Sequence, residues 1–311
     1  MVILIGKIKK IKLFNLLKNN NKMTLHYNFQ NFFIRLNFSK SYRQKYINES
    51  FPKYHLDILE SLNNKYSLKN KIIIDVGGSN IPIEVMQSFG VKKFVCLDPV
   101  TKWGYGKQKN TCFGKPIYKL DEFETKYNNE YSFIIDEDIE NINDFFFNKF
   151  DIAISISTFE HVTSLTKTMN KIYQILKNNG FLHSQYEPVF SCASGHHVYI
   201  NKDLNFNNMP EIDYLHLLYT KNEAIQFLKK IKRFDTKIKK EIIRQAYDSK
   251  IINRFFINQH INAIYNSQFK KYILDYFYLQ PVPEKINQTL KHKYSKQRFD
   301  VRGIKLTIFK Q

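Results

Sequence analysis

From about residue 71 onward the chain sorts itself by hydrophobic period. Residues 71–76, KIIIDV, form a short β-branched run that stops at Gly77-Gly78. An apolar run of that length, closed by a glycine turn, predicts a strand buried on both faces, as in a parallel sheet. Pro82 suits the first turn of a helix over 83–89, which Gly90 ends. Further runs predict strands over 92–97, ending at Asp98-Pro99, and over 131–135, 150–157 and 181–186. Between the last two, Met169, Ile172, Tyr173 and Leu176 share one face of a helix over 165–176, closed by Asn178-Asn179-Gly180. Strands alternating with helices predict a parallel sheet with right-handed crossovers.

The alternation breaks over 201–262. Helical patterns there cover 221–231 and 238–257, which predicts a helical cap insertion. Residues 269–279 and 303–309 read as two last strands, with Pro281 and Pro283 opening a helix between them. Ahead of the sheet, residues 24–68 predict one or two helices, and Pro52 opens the one containing Tyr54, Ile58 and Leu62. Residues 1–22 place Ile8, Ile11, Phe14 and Leu17 near helical spacing among lysines. They read as a leader without fixed structure, or as residues upstream of a start at Met23. The alternative is a peripheral membrane contact. The domain plan is thus a basic helical extension (1–68), a core (69–200), a cap (201–262) and C-terminal strands that complete the sheet (263–311).

Composition narrows the class. With 43% hydrophobic and 24% charged residues in 311, the chain reads as globular with a sizeable core. It has no uncharged apolar run of about 18 residues, so no membrane-spanning helix is expected. The net charge is +20, but of 48 basic residues seven are Arg and 41 Lys. Recognition of phosphate favours the planar fork of Arg, so the charge is read first as solvated surface and second as a nucleic-acid or membrane footprint. Cys96, Cys112 and Cys192 lie far apart and form no C-x-x-C pair. That pattern argues for a reducing, cytoplasmic setting and against a zinc site of usual spacing.

In sheets of this kind ligands bind beyond the carboxyl ends of the strands. Strand one carries Asp75 before Gly77-Gly78-Ser79, and the glycines let backbone approach a ligand. Strand two ends in Asp98, placed to hold both hydroxyls of a ribose. Asp136-Glu137-Asp138 follows strand three, and Ser155 to Val162, SISTFEHV, ends strand four. The pieces IIIDVGGS, VCLDP, FDIAISISTFEHV and IYQILKNNGFL, in this order, resemble the class I S-adenosylmethionine-dependent methyltransferases over roughly residues 70–200.

The resemblance implies an α/β fold: a Rossmann-like, seven-stranded, mostly parallel sheet with helices on both faces. It implies S-adenosylmethionine as cofactor. Asp75 would hold the methionine amino end, and Gly77 and Gly78 the methionine and ribose parts. Asp98 would take the ribose hydroxyls, Asp138 with Ile139 the adenine, and Ser155 and Ser157 the region under the sulfonium. Ser79 and Pro99 complete the set. The family's Gly-x-Gly-x-Gly turn is Gly77-Gly78-Ser79-Asn80-Ile81 here. That turn argues against a nicotinamide enzyme, whose glycines meet a pyrophosphate.

On the acceptor side, residues 187–199, EPVFSCASGHHVY, place His196 and His197 in a loop after strand five. With His161 they are the candidate bases, His being tunable near neutral pH. No metal is expected, since His183, His196 and His197 offer no ligand spacing. The expected reaction is methyl transfer to an O or N atom of a small molecule or glycan unit. The alternatives are an RNA or other nucleic-acid methyltransferase, or a non-catalytic scaffold on the same fold.

Overall fold

A computed structural model describes residues 53–78, 80–102, 111–112, 114–122 and 124–311. The readings made on residues 1–52, leader and helical extension alike, and the predicted site residue Ser79 lie outside them. The chain divides into two compact units, 1–69 and 70–311. Within the first, helix α1 (Lys53–Tyr66) carries Leu56, Leu59 and Leu62 along one stripe, and an exposed Lys53–Asp57 ion pair at 3.6 Å.

The second unit is built on one sheet. Its strands are β1 (Ile72–Val76), β2 (Lys93–Leu97), β3 (Thr111–Cys112), β4 (Lys115–Tyr118), β5 (Ser132–Ile135), β6 (Phe150–Ile156), β7 (Leu176–Tyr186), β10 (Lys271–Leu279) and β11 (Val301–Phe309). Their order is β10-β11-β7-β6-β1-β2-β5-β4-β3. Nine strands replace the expected seven, because Thr111–Cys112 and Lys115–Tyr118 add an antiparallel pair at one edge. Strand β1 pairs in parallel with both β2 and β6, Ile74 lying opposite Val95 on one side and Ala153 on the other. The order therefore reverses at β1, and the switch point lies at the carboxyl ends of β1 and β6. The last two strands run antiparallel, with β11 between β7 and β10.

Burial explains why the apolar runs became central strands. Ile73, Ile74, Val95, Phe133, Ile134, Ile152, Ala153 and Ile154 have no exposed surface. Each large side chain among them contributes roughly 1.5–3 kcal/mol by leaving water. Helix α2 (Ile83–Ser88) starts after Pro82 and stops at Gly90, whose φ is +68°. Between β4 and β5 lies the single turn α3 (Glu124–Tyr127). Helix α4 (Leu165–Ile175) begins at Ser164, whose hydroxyl accepts the Lys167 N–H, and buries Leu165, Met169, Ile172 and Ile175. No loop follows it: β7 starts at once with Leu176, and Asn178-Asn179-Gly180 lies within the strand, held there by hydrogen bonds with Lys310.

Residues 198–246 gather a core of their own from Val198, Met209, Ile212, Leu228, Phe234 and Ile242, among others. Its elements are the hairpin β8 (Tyr199–Asn201) and β9 (Leu204–Asn205), and helices α5 (Leu215–Leu218), α6 (Lys221–Lys229) and α7 (Thr236–Ile243). The single helix expected over 238–257 does not form. Helix α7 passes into a π turn, Arg244–Asp248, and helix α8 (Ile257–Tyr265) starts separately. The intervening residues leave helical geometry to bond the loop after β6. Helix α9 (Glu284–Lys293) starts after Pro283. No described helix is long and apolar enough to cross a membrane.

Candidate active site

The exits of β1, β2, β5 and β6 border a cleft partly open to solvent. Backbone holds its floor. The Gly77 N–H donates to the Leu97 carbonyl at 2.7 Å, tying the ends of β1 and β2. Gly77 sits at φ +78°, and a Cβ there would lie 2.0 Å from Thr158 Cγ2. At Gly78 a Cβ would lie 2.2 Å from Asp75 Oδ2. The turn is therefore wedged between Thr158 and the carboxylate of its own strand, and only glycine fits at both places.

Asp75 consequently lies beneath the turn and not in the cleft, with 2% of its surface exposed. Burial pushes its carboxyl up to about 7; Lys115 pulls it down and Asp98 adds to the rise. Lys115, itself without exposed surface, donates to the Ile81 carbonyl at 2.7 Å and so anchors the loop after β1. Ser155 is likewise committed elsewhere. Its hydroxyl donates to the Val76 carbonyl at 2.9 Å and pins β6 to β1 with no exposed surface. Five predicted cofactor residues do line the cleft: Gly77, Pro99, Asp138, Ile139 and Ser157. Asp98 stands between the lining residues Leu97 and Pro99, its N–H donating to the Ile135 carbonyl at 3.0 Å. Asp138 pairs with Lys102 at 2.9 Å on the rim.

Sequence reasoning missed several wall residues. Thr158 and Val162 sit inside the SISTFEHV segment without having been singled out, and Leu97 and Glu140 line the cleft as well. The Glu140 carboxylate accepts hydrogen bonds from the Thr163 N–H and hydroxyl and from the Ser164 N–H, at 2.9, 3.0 and 3.2 Å. It thereby fixes the entry to α4.

The far wall is a tight turn over 158–161, closed by the His161 N–H on the Thr158 carbonyl at 2.7 Å. Asn253 staples this turn. Its side-chain amide donates to the Phe159 and Val162 carbonyls at 2.7 and 3.1 Å, and its backbone N–H to the Glu160 carbonyl at 2.8 Å. No sequence signal marked it. His161 lines the cleft, and its Nδ1 lies 3.0 Å from the Ile251 carbonyl. A carbonyl only accepts, so Nδ1 carries the proton and Nε2 the lone pair. Burial lowers the ring's pKa, against the bond to Ile251, and keeps it neutral.

His197 meets His161 edge-on, with ring centroids 5.8 Å apart. Burial, reinforced by His161, pushes its pKa down to about 3. Glu160 is buried, and desolvation holds its carboxyl well above the usual range; a hydrogen bond to its own backbone opposes this and Glu187 adds to it. Glu187 pairs with Arg302 at 3.1 Å, and Arg302 also bonds Asn207. His196 turns away. Its Nδ1 accepts the Val198 N–H at 3.0 Å, its ring lies edge-on to His216, and 1% of its surface is exposed. Of the three expected bases, His161 lines the cleft, His197 packs against its ring, and His196 is set in the packing beside His216.

Residues 76–184 match the family model described as a methyltransferase domain. Over that span the chain is similar to methyltransferase domains, a class whose methyl donor is S-adenosylmethionine. The cleft suits this donor. Asp98 and Asp138 follow adjacent strands, Leu97 and Ile139 supply apolar surface, and the glycine turn brings backbone to the edge. No curated protein matches the chain in sequence. Among solved structures, a putative S-adenosylmethionine-dependent methyltransferase from Listeria monocytogenes is 14% identical, with a TM-score of 0.40, over 88% of this chain and all of its own. One from Archaeoglobus fulgidus is 9% identical, with a TM-score of 0.43, over the same shares. A geranyl diphosphate C-methyltransferase from Streptomyces coelicolor is 8% identical, with a TM-score of 0.44, over 88% of this chain and 85% of its own. Likenesses this distant carry no argument about substrate.

Proposed function

We propose that the chain transfers a methyl group from S-adenosylmethionine to an oxygen or nitrogen of a small molecule or a glycan unit. The charge around the cleft supports this choice of acceptor. Asp138 and Glu140 line it, and Lys102 on its rim is engaged by Asp138. A polyanionic backbone gains little from such a rim, whatever the net charge of the whole chain. Neutral, hydroxyl-rich or amine acceptors are compatible with it.

Methyl transfer is an in-line displacement on an activated sulfonium, so positioning is the main task. His161 supplies the complementary proton chemistry. Its Nδ1–H is held by Ile251, which aims a basic Nε2 from the cleft wall at the proton of an acceptor hydroxyl or ammonium. The test supplies S-adenosylmethionine with a labelled methyl group and offers monosaccharides, nucleotide sugars, phenols, amines and transfer RNA. Label in a small hydroxyl or amine compound, reduced about 100-fold or more by His161→Gln with S-adenosylhomocysteine affinity kept, is the expected result. Label in transfer RNA alone would overturn the acceptor class.

A further inference from the structure

One cluster on the acceptor wall goes beyond what methyl transfer asks for. Glu160, His161 and His197 each offer a ligand atom, and these three atoms lie within 4.8 Å of one another. His161 Nε2 stands 3.9 Å from Glu160 Oε1. Both rings are oriented alike. His161 Nδ1 faces the Ile251 carbonyl at 3.0 Å and His197 Nδ1 the Gly195 carbonyl at 3.3 Å. Two carbonyls thus place the proton on Nδ1 in each ring and leave the lone pair on Nε2. Metal-binding histidines are commonly fixed in this way, the outer nitrogen donating to a carbonyl while the inner one ligates.

A second observation points to a cation. Glu160 is 3% exposed, and its Oε2 has no hydrogen-bond partner; neither has the buried Nε2 of His197. A buried carboxylate oxygen and a buried imidazole lone pair without donors are costly unless something positive sits between them. Arg302 does not serve, being engaged by Glu187 and Asn207.

We propose that Glu160, His161 Nε2 and His197 Nε2 bind one divalent transition-metal ion, of the zinc, manganese or iron(II) kind. Two imidazoles and one carboxylate suit these borderline cations better than magnesium or calcium, which prefer all-oxygen shells. Ligand atoms across a tetrahedral zinc site lie about 3.3 Å apart, given bonds of about 2.0 Å. Closing from the present separations takes side-chain movements on the order of 1 Å. Three protein ligands leave a position open, and because His161 lines the cleft that position faces the acceptor, where an oxygen donor would fill it. Occupancy and proton abstraction are alternatives at one atom. With the ion bound, His161 Nε2 has no lone pair to offer, and the ion supplies the acidification of the acceptor. Spacing along the chain gave no hint of the site, because its ligands come from one turn after β6 and a loop after β7.

The test uses the full chain stripped with a chelator, with neither methyl donor nor acceptor present, so its outcome is independent of the proposed reaction. Cobalt(II) is titrated as a spectroscopic stand-in, zinc is added in competition, and bound metal is counted after equilibrium dialysis. One equivalent bound at about micromolar Kd, weakened at least about tenfold by Glu160→Gln and by His197→Asn, is expected. His292→Ala, on the exposed face of α9, should bind as the parent does. No binding at about 100 µM metal, or equal binding by parent and both ligand variants, would overturn the site. Should His197→Asn fail to fold, the near-isosteric Glu160→Gln decides alone.

Discussion

The two sides of the cleft are held in different ways. On the donor side, main chain ties strand ends together: Gly77 to Leu97, Asp98 to Ile135, Ser157 to Gln185. These residues come from contiguous segments at consecutive strand exits. On the acceptor side, the turn over 158–161, the loop carrying His197, Asn253 and Arg302 arrive from four separate stretches and meet through side chains. Glu160 Oε2, His196 Nε2, His197 Nε2 and His216 Nδ1 are all buried there without hydrogen-bond partners. Sheet topology specifies the first side almost by itself. The second depends on individual side chains whose polar needs the chain alone leaves open, as expected of a surface completed by what it binds.

The contrast breaks most sharply at the glycine turn. Gly77→Ala puts a methyl 2.0 Å from Thr158 Cγ2 on a backbone at φ +78°. Overpacking and a left-handed alanine together should cost about 2–4 kcal/mol of stability in a urea melt. Affinity for S-adenosylhomocysteine should fall by about 100-fold or more in titration calorimetry. Adding Thr158→Ala should recover part of the loss; no recovery would show that the backbone angle, not the clash, dominates. Asp98→Ala is the next largest. It should leave the fold intact and lower cofactor affinity by about 1.5–3 kcal/mol, the worth of a hydrogen bond to a charged group. Unchanged affinity would remove Asp98 from the ribose.

Asn253→Ala strikes the acceptor side alone. It leaves the Phe159 and Val162 carbonyls without their side-chain donor, at a cost of about 1–3 kcal/mol. Turnover should fall while S-adenosylhomocysteine binds within about twofold of the parent. Equal losses in both would mean that the turn over 158–161 belongs to the donor side as well.

How much of this was legible in the sequence follows the same division. The runs IIIDV and KFVCL read as buried strands because both faces are covered, so apolar period and structure coincide. Asp98 and Asp138 stood out because a strand exit is a fixed place in this fold. Asp75 and Ser155 were expected at the ligand but lie buried outside the cleft lining, since a residue near a strand's end points down or up according to pleat, which motif order does not state. The helix expected over 238–257 was wrong for a related reason. Its periodicity is real, but Ile251 and Asn253 are drawn out to bond His161 and the turn before it. His196 and His197 are adjacent and look equivalent; only packing turns one toward His216 and the other toward His161.

The smallest expected effect is also the one that separates the two sides by sign. His260, whose Nδ1 lies 2.9 Å from the Tyr186 hydroxyl, has its pKa pushed down by burial to about 3. In the unfolded chain it takes a proton near 6.5. Between those values the unfolded state binds more protons, so stability present above about pH 6.5 drains away as pH falls. Asp75 does the reverse. Its carboxyl rises to about 7 when folded, so its contribution is whole below its unfolded value and is lost as pH rises through about 7. Stability measured in urea from pH 4.5 to 6 should therefore diverge from the parent in opposite directions. His260→Gln should lower the slope of stability against pH by about 1.4 kcal/mol per unit, and Asp75→Asn should raise it by about as much. Each substitution also shifts the whole curve through lost contacts, but a constant offset leaves the slope untouched. Parallel curves for His260→Gln would mean that the ring stays charged when folded. Parallel curves for Asp75→Asn would mean that Lys115 outweighs burial beneath the glycine turn and holds the carboxylate ionised, presenting a negative charge to the methionine end of the donor.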